Sequence, residues 1–255
     1  MSDGDLAGVG VLVTRPEHQA AEFSDAIEAA GGKAVRFPAI EIVPRSASDI
    51  DNDTAALQQP DIVIFVSANA SRFGMAHTAA AKVAAVGPAT AAAIEAAGQR
   101  VDIRPAAGFD SEHLLAEPEL QSVDGKVVRI IRGNSGRELI ADTLRQRGAI
   151  VEYLPVYTRK APDVDASSAT GLEQAWRSGQ IDVVTVMSVE TLTNLVSILP
   201  EWCRNQLGQT PLVTPATRVI IEATREFPGI PATLAQGPAA KDMVRAIAEH
   251  VPGQS

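Results

Sequence analysis

The chain predicts an α/β fold built from two similar parallel-sheet lobes, and two observations carry that prediction. The first is a gapless duplication: Arg15–Ile40 recurs as Arg132–Tyr157 at an offset of 117, placing Phe23 over Ile140, Ile27 over Leu144, Gly31 over Gly148 and Pro38 over Pro155. The second is that the following block also recurs: Asp61–Ser67 reads like Asp182–Ser188, Pro88-Ala89-Thr90 like Pro215-Ala216-Thr217, and Gly108 like Gly237. The order is therefore A-B-A′-B′. A period this long indicates two domains of one fold, since solenoid repeats run at roughly 20 to 50 residues.

Module A begins with a β-rich run at 9–14, continues with a helix over 17–30 that places Phe23 and Ile27 at i, i+4, stops at Gly31-Gly32, and resumes as a strand at 33–37. Module B adds strands near 61–66, 82–86 and 101–104, alternating with helices near 70–80, 89–97 and 111–121. Modules A′ and B′ supply strands near 126–131, 150–154, 181–187, 211–214 and 231–235, with helices between them. Five strands per half suit parallel sheets of doubly wound, flavodoxin-like order. Periodicity leaves open whether A folds with B or with B′. The equivalent Pro-bounded segments 38–44 and 155–162 could pair as a two-stranded bridge, which would make the N-terminal lobe discontinuous.

Composition narrows the function. A chain of 255 residues, 45% hydrophobic and 21% charged, is ordinary for a globular protein. A net charge of −9 without a Lys/Arg run gives no electrostatic support for nucleic acid or an anionic membrane, so bound anions must be held locally. The acidic start, Met1–Leu6, lacks the regions of a signal peptide, and the Ala-rich run 79–97 is broken by Lys82, Gly87 and Pro88; a cytoplasmic location is expected. Cys203 is alone, which excludes an intrachain disulfide, and His18, His77, His113 and His250 have no metal-ligand spacing. No metal site is expected.

In open parallel sheets, ligands bind beyond the carboxyl ends of the strands. The residues there are Arg15-Pro16, Ser67–Ala70, Gly87–Thr90, Arg132–Gly136, Ser188–Glu190 and Thr214–Thr217. Most open a helix with small residues, and such starts expose free backbone N–H groups at the positive end of a dipole, suited to carboxylates or phosphates. Taken singly, Ser67, Ser188 and Thr214 read more readily as N-caps, and Pro88 and Pro215 as first helical residues. Arg15 and Arg132, at matching strand ends of the two repeats, suit a carboxylate clamp; each could also be a solvated or bridging Arg. Gly8-Val9-Gly10 precedes its strand and Gly133–Gly136 lacks a third glycine, so no dinucleotide or P-loop fingerprint is present. No GxSxG occurs, and no His falls in these loops. Tyr157 is the one residue of the bridging segments with useful acid chemistry.

Taken together, Val11–Pro16, Phe65–Ala70, Ala85–Ala91, Arg132-Gly133 and Val156-Tyr157, in this order and spacing, resemble the uroporphyrinogen-III synthases of tetrapyrrole biosynthesis over nearly the whole length. The resemblance implies two flavodoxin-like lobes joined by a two-stranded β ladder: 1–37 with 163–255, 45–155, and bridging strands 38–44 and 156–162. It implies a cofactor-free cyclisation of hydroxymethylbilane in which the terminal hydroxyl is lost and a spiro intermediate inverts ring D. The partner is this small molecule alone, with no nucleic acid or membrane, and the protein is expected to be a monomer.

Carried over position by position, Ser67, Thr90, Ser188 and Thr217 line the cleft, with Tyr157 aiding hydroxyl departure. Arg15, Ala68, Gly87, Arg132 and Gly133 complete the expected substrate-binding set. The chain departs from the family at Thr214-Pro215, where Gly-Pro is usual, and at Ser188-Val189-Glu190, where a small Pro-containing turn is usual. The Thr214 side chain limits backbone approach to a ligand, and Glu190 would repel a carboxylate. The alternative reading is a cytosolic, non-catalytic two-lobed sensor of a tetrapyrrole or other anion.

Overall fold

A computed structural model describes residues 6–78, 81–108, 110–136 and 138–250, with residue 250 described by its backbone only. Module A forms β1 (Gly10–Val13), α1 (Glu17–Ala29) and β2 (Lys33–Arg36), and the chain turns out of α1 through Gly31 at φ +83°. β3 (Glu41–Pro44) and α2 (Ala47–Ala55) follow. Module B gives β4 (Ile62–Phe65), α3 (Ala68–Gly74), a 3₁₀ turn (Met75–His77), β5 (Lys82–Ala85), α4 (Pro88–Ala96), α5 (Ser111–Leu115) and α6 (Pro118–Gln121). Module A′ gives β6 (Val127–Gly133), α7 (Leu139–Gln146) and β7 (Ile150–Lys160). Module B′ gives α8 (Ala166–Arg177), β8 (Val183–Thr185), α9 (Val189–Ile198), α10 (Glu201–Leu207), β9 (Leu212–Thr214), α11 (Thr217–Glu226), β10 (Ala232–Leu234) and α12 (Ala240–His250).

The chain divides into two compact units, one comprising the segment up to Glu41 and that from Lys160 onward, the other Ile42–Arg159. The first unit's sheet has the order β10-β9-β8-β1-β2, parallel throughout. One face buries Leu12, Val184 and Leu212 under α8 to α11, and the other buries Val11, Val13, Val183 and Val213 under α1 and α12. Sheets covered on both faces read as continuous apolar runs, and each such side chain contributes roughly 1.5 to 3 kcal/mol on burial. The second unit's sheet has the order β3-β7-β6-β4-β5. Ile62, Ile64, Val128 and Ile130 pack on one face with α5 to α7, and Val63, Phe65 and Ile131 on the other with residues of α2 to α4.

Module A thus shares its sheet with B′, and A′ with B. One repeated device secures both pairings. Asp182 Oδ2 accepts the Gly10 N–H at 2.7 Å while the Asp182 N–H donates to the Gly10 carbonyl at 2.8 Å. In the other unit, Asp61 Oδ2 accepts the Val127 N–H at 2.8 Å and the Asp61 N–H donates to the Val127 carbonyl at 2.9 Å.

Four elements differ from the sequence reading, each for a local reason. The strand expected near 101–104 is a single bridge, Ile103 to Ala84, because the Asp102 carboxylate takes the Val83 N–H at 3.0 Å and Pro105 ends the ladder. The helix expected over 111–121 is cut into α5 and α6 by Glu117-Pro118, with Glu117 held extended at ψ 138°. The helix expected near 70–80 starts earlier, at Ala68, and becomes 3₁₀ after Gly74; residues 79 and 80 lie outside the described residues. The strand at 150–154 continues unbroken through Lys160 and absorbs most of 156–162. Beside it, the Arg45 N–H donates to the Val156 carbonyl at 3.0 Å and Thr158 Oγ1 to the Val43 carbonyl at 3.5 Å, an antiparallel progression.

Candidate functional site

In the second unit, the strand ends converge on Tyr157. The β6–β7 register shifts between Arg132, opposite Pro155, and Gly133, opposite Tyr157. This bulge inserts Val156 as an extra residue and re-aims the side chain that follows. Tyr157 is buried except for 6% of its surface; its hydroxyl lies 3.2 Å from Ser67 Oγ, and its ring stands 6.1 Å from that of Phe73. Ser67 is also the N-cap of α3, its Oγ accepting the Ala70 N–H at 3.1 Å. Ala68 is the first residue of that helix and is half-buried.

Arg132, Ser67 and Tyr157 line one cavity of about 220 Å³ together with Ser111, Gly136 and Arg159. The Arg132 side chain is 9% exposed, and its guanidinium covers the Tyr153 ring at 4.7 Å and donates through Nη1 to Glu138 at 2.9 Å. Tyr153 donates its hydroxyl to the other Glu138 oxygen. Hydrogen bonds from Tyr153, and then from Arg132, hold the Glu138 carboxyl below its ordinary range. Burial, followed by the bond to Glu138, pushes the Tyr153 phenol up. Gly87 lies elsewhere, at the N-cap of α4, in a pocket of about 590 Å³ shared with Pro88, Arg104 and Gly108. Thr90, in the first turn of the same helix, is only 5% exposed.

In the first unit, Arg15, Ser188 and Thr217 follow three neighbouring strands, β1, β8 and β9. Arg15 stacks on Phe23 at 4.7 Å and donates through Nη2 to the Pro238 carbonyl at 2.7 Å; burial lowers its pKa against the opposing pull of Glu22. Ser188 caps α9, accepting the Thr191 N–H at 3.1 Å. Thr214 does not cap its helix. Its Oγ1 takes the Ala216 N–H at 3.2 Å, Ala216 is the N-cap, and the helix starts at Thr217, two residues later than Pro215 would have begun it. Thr217 is exposed.

Sequence reasoning missed Glu138 and Tyr153. The available signal was composition: the chain has two tyrosines, and both fall in β7. Among the described residues, no group of three or more His, Cys, Asp or Glu could hold a metal ion, and no helix is long and apolar enough to cross a membrane.

Largely parallel sheets clothed by helices, with cationic and hydroxyl side chains at the carboxyl ends of their strands, define an α/β protein with polar strand-end loops. A profile described as uroporphyrinogen-III synthase HemD matches residues 21–245. The uroporphyrinogen-III synthase of Escherichia coli strain K12 is 35% identical over 207 residues, covering 77% of this chain and 82% of that one. Two solved structures share the fold. The uroporphyrinogen-III synthetase of Helicobacter pylori 26695 has a TM-score of 0.63 at 11% identity, covering 95% of this chain and 100% of that one. A mutant uroporphyrinogen III synthase from the extremely thermophilic bacterium Thermus thermophilus has a TM-score of 0.56 at 21% identity, covering 95% and 98%. The chain belongs to the uroporphyrinogen-III synthase family, enzymes of tetrapyrrole biosynthesis.

Proposed function

We propose that this enzyme cyclises hydroxymethylbilane without a cofactor, releasing the terminal hydroxyl as water and inverting ring D through a spiro intermediate to give uroporphyrinogen III. The observation that carries the proposal is the family match across residues 21–245. The strand-end geometry supports roles for particular residues. Tyr157 would donate its phenolic proton to the departing hydroxyl, while Ser67 Oγ–H, 3.2 Å away, would turn toward the phenolate left behind. Arg132, sharing the cavity, would hold a carboxylate of the reacting ring. At about 220 Å³ this cavity is smaller than the roughly 300 to 1,000 Å³ of pockets that take whole drug-sized ligands, so it suits one end of the bilane.

The free N–H groups at the start of α4, behind Gly87 and Thr90, and at the starts of α9 and α11, marked by Ser188 and Thr217, would receive further carboxylates, with Arg15 beside them. Counted from β2, the first sheet runs second, first, third, fourth, fifth, which is flavodoxin order. This supports reading the units as two flavodoxin-like lobes, 1–37 with 163–255 and 45–155, joined by a ladder of 38–44 and 156–162. The enzyme would act as a cytoplasmic monomer. Most of the rate and selectivity would come from orientation and exclusion of the competing closure, because the bilane cyclises unaided to the uninverted isomer.

The test is to mix the purified protein with freshly generated hydroxymethylbilane, oxidise the products and separate type I from type III porphyrin. Type III as the main product at catalytic enzyme concentration is expected. Type I alone from folded protein would overturn the proposal in favour of a non-catalytic tetrapyrrole or anion sensor.

A further inference from the structure

We infer that Glu138 is a positioning residue for Arg132, and that with Tyr153 it forms a cradle that keeps one edge of the guanidinium available to a substrate carboxylate in the cavity shared with Ser67 and Tyr157. The inference rests on the synthase reading above and adds a residue pair to it.

Arg132 lines two cavities at once, the 220 Å³ cavity containing Tyr157 and an outer one of about 380 Å³ that Glu138, Tyr153 and Pro155 help to form. Three contacts fix it there. Tyr153 supports the guanidinium plane at 4.7 Å, Glu138 takes Nη1 at 2.9 Å, and the lack of a side chain at Gly136, where a Cβ would stand 2.9 Å from Nη2, gives the group its room. The hydroxyl bond from Tyr153 to Glu138 closes the triangle and leaves that carboxylate little freedom to rotate away. A guanidinium has five N–H donors in a rigid fork. Glu138 engages Nη1, and among the described residues no acceptor takes a hydrogen bond from Nε or Nη2.

The asymmetry of exposure assigns the roles. The Arg132 side chain is nearly enclosed, while that of Glu138 is 52% exposed, so the carboxylate sits at the outer edge and the guanidinium inward. A structural pair would need only to be satisfied. This one leaves a nearly enclosed cation with spare donors lining the same cavity as the Tyr157 phenol, which is an arrangement for gripping an incoming anion bidentately.

The experiment measures steady-state kinetics and the type I to type III ratio with freshly generated hydroxymethylbilane for wild type, Glu138→Gln and Tyr153→Phe. Melting curves confirm that each variant is folded, and Glu222→Gln, which alters only a surface pair with Arg225 in the first unit, is the control. With Glu138→Gln, KM should rise roughly three- to tenfold, as befits a half-exposed ion pair, while kcat changes less than about twofold. The type I share should rise with it, because bilane that is held loosely is lost to spontaneous closure. Tyr153→Phe, which keeps the ring under Arg132 and removes the hydroxyl bond, should move both readouts the same way by a smaller factor.

Wild-type KM and isomer ratio in both folded variants would overturn the inference while leaving the synthase reading intact, since type III would still be the product. A lower KM would also overturn it, by showing that Glu138 competes with substrate for Arg132. If wild type itself gave only type I, the synthase reading would fail, and the positioning role with it.

Discussion

Gly133 lies flat against the ring of Tyr157, so close that an added Cβ would stand 2.8 Å from Cε2 and 2.9 Å from Cζ. The backbone N–H of Asn134, the next residue, donates to the Tyr157 carbonyl at 3.0 Å, so the tyrosine cannot retreat by moving its own main chain. Gly133→Ala should therefore push the phenol off Ser67. Overpacking of this kind costs roughly 1 to 3 kcal/mol, and a misplacement near 1 Å at a reacting group can cost on the order of a hundredfold in rate. Turnover of Gly133→Ala should fall at least tenfold with a modest drop in melting temperature. Full turnover in the variant would show that the ring has slack.

Tyr157→Phe tests the phenol itself. The ring would still fill its place beside Phe73, so the fold should hold, and turnover should fall roughly ten- to a hundredfold if the hydroxyl serves as a general acid. An unchanged rate would reduce Tyr157 to packing. The type I share among products should rise in parallel, because slower enzymic closure competes with the spontaneous reaction.

Ser67 has two duties that mutation can separate. Ser67→Ala removes the cap of α3, with an expected stability cost near 1 kcal/mol, and also removes the partner of Tyr157. Ser67→Gly keeps more of the cap geometry, costing only a few tenths of a kcal/mol, but still lacks the hydroxyl. Equal losses of turnover in the two variants, with unequal melting temperatures, would assign the catalytic part to the hydroxyl. Losses that track stability would assign it to the cap.

Much of this architecture was legible because the chain states it twice. Asp61 and Asp182 could be aligned by offset alone, although only the structure shows that each carboxylate ties its strand to the first strand of the other module. Ser67 and Ser188 read as caps and are caps. Helix α2 was missed because Ile50 is its one buried residue, so it carries no apolar period; its sole mark is Ser46 with Asp49 three residues on, a capping pair. The bulge at Gly133 was illegible because register is a property of two strands together, and neither β6 nor β7 signals it alone. The Arg132–Glu138–Tyr153 cradle needed the same register, which brings residues of β6 and β7 to one face.

Helix α8 makes a pH prediction. Asp165 is its N-cap, and hydrogen bonds from the Ser168 N–H, and then from the Ser168 side chain, depress its carboxyl below the ordinary range. Because the folded pKa is the lower one, the ionised cap stabilises the protein fully above the unfolded value of about 3.9 and ceases to do so as pH falls through the folded value. Asp165→Asn keeps the cap but not the charge. Its melting temperature should lie below wild type at neutral pH and converge with it as the pH drops below about 4. A gap that persists in acid would show that the charge is not its cause.

The Arg129–Glu152 pair is the sharpest test of how the second unit is held. Its side chains are 4% and 11% exposed and meet at 3.2 Å in mid-sheet, and together they grip the backbone of one residue: Glu152 accepts the Gln58 N–H at 3.0 Å and Arg129 donates to the Gln58 carbonyl. Among the described residues Arg129 Nε has no partner, so the cation already lacks one hydrogen bond there. Glu152→Ala would leave it with only the Gln58 carbonyl, and removing one member of a buried pair costs roughly 3 to 5 kcal/mol. The double variant Arg129→Met with Glu152→Leu leaves no buried charge, and the exposed Gln58 can turn its peptide groups to water. It should therefore be more stable than Glu152→Ala. Urea unfolding at constant m decides the matter: a double variant less stable than the single one would mean that the grip on Gln58, and not the charge balance, is what the pair contributes.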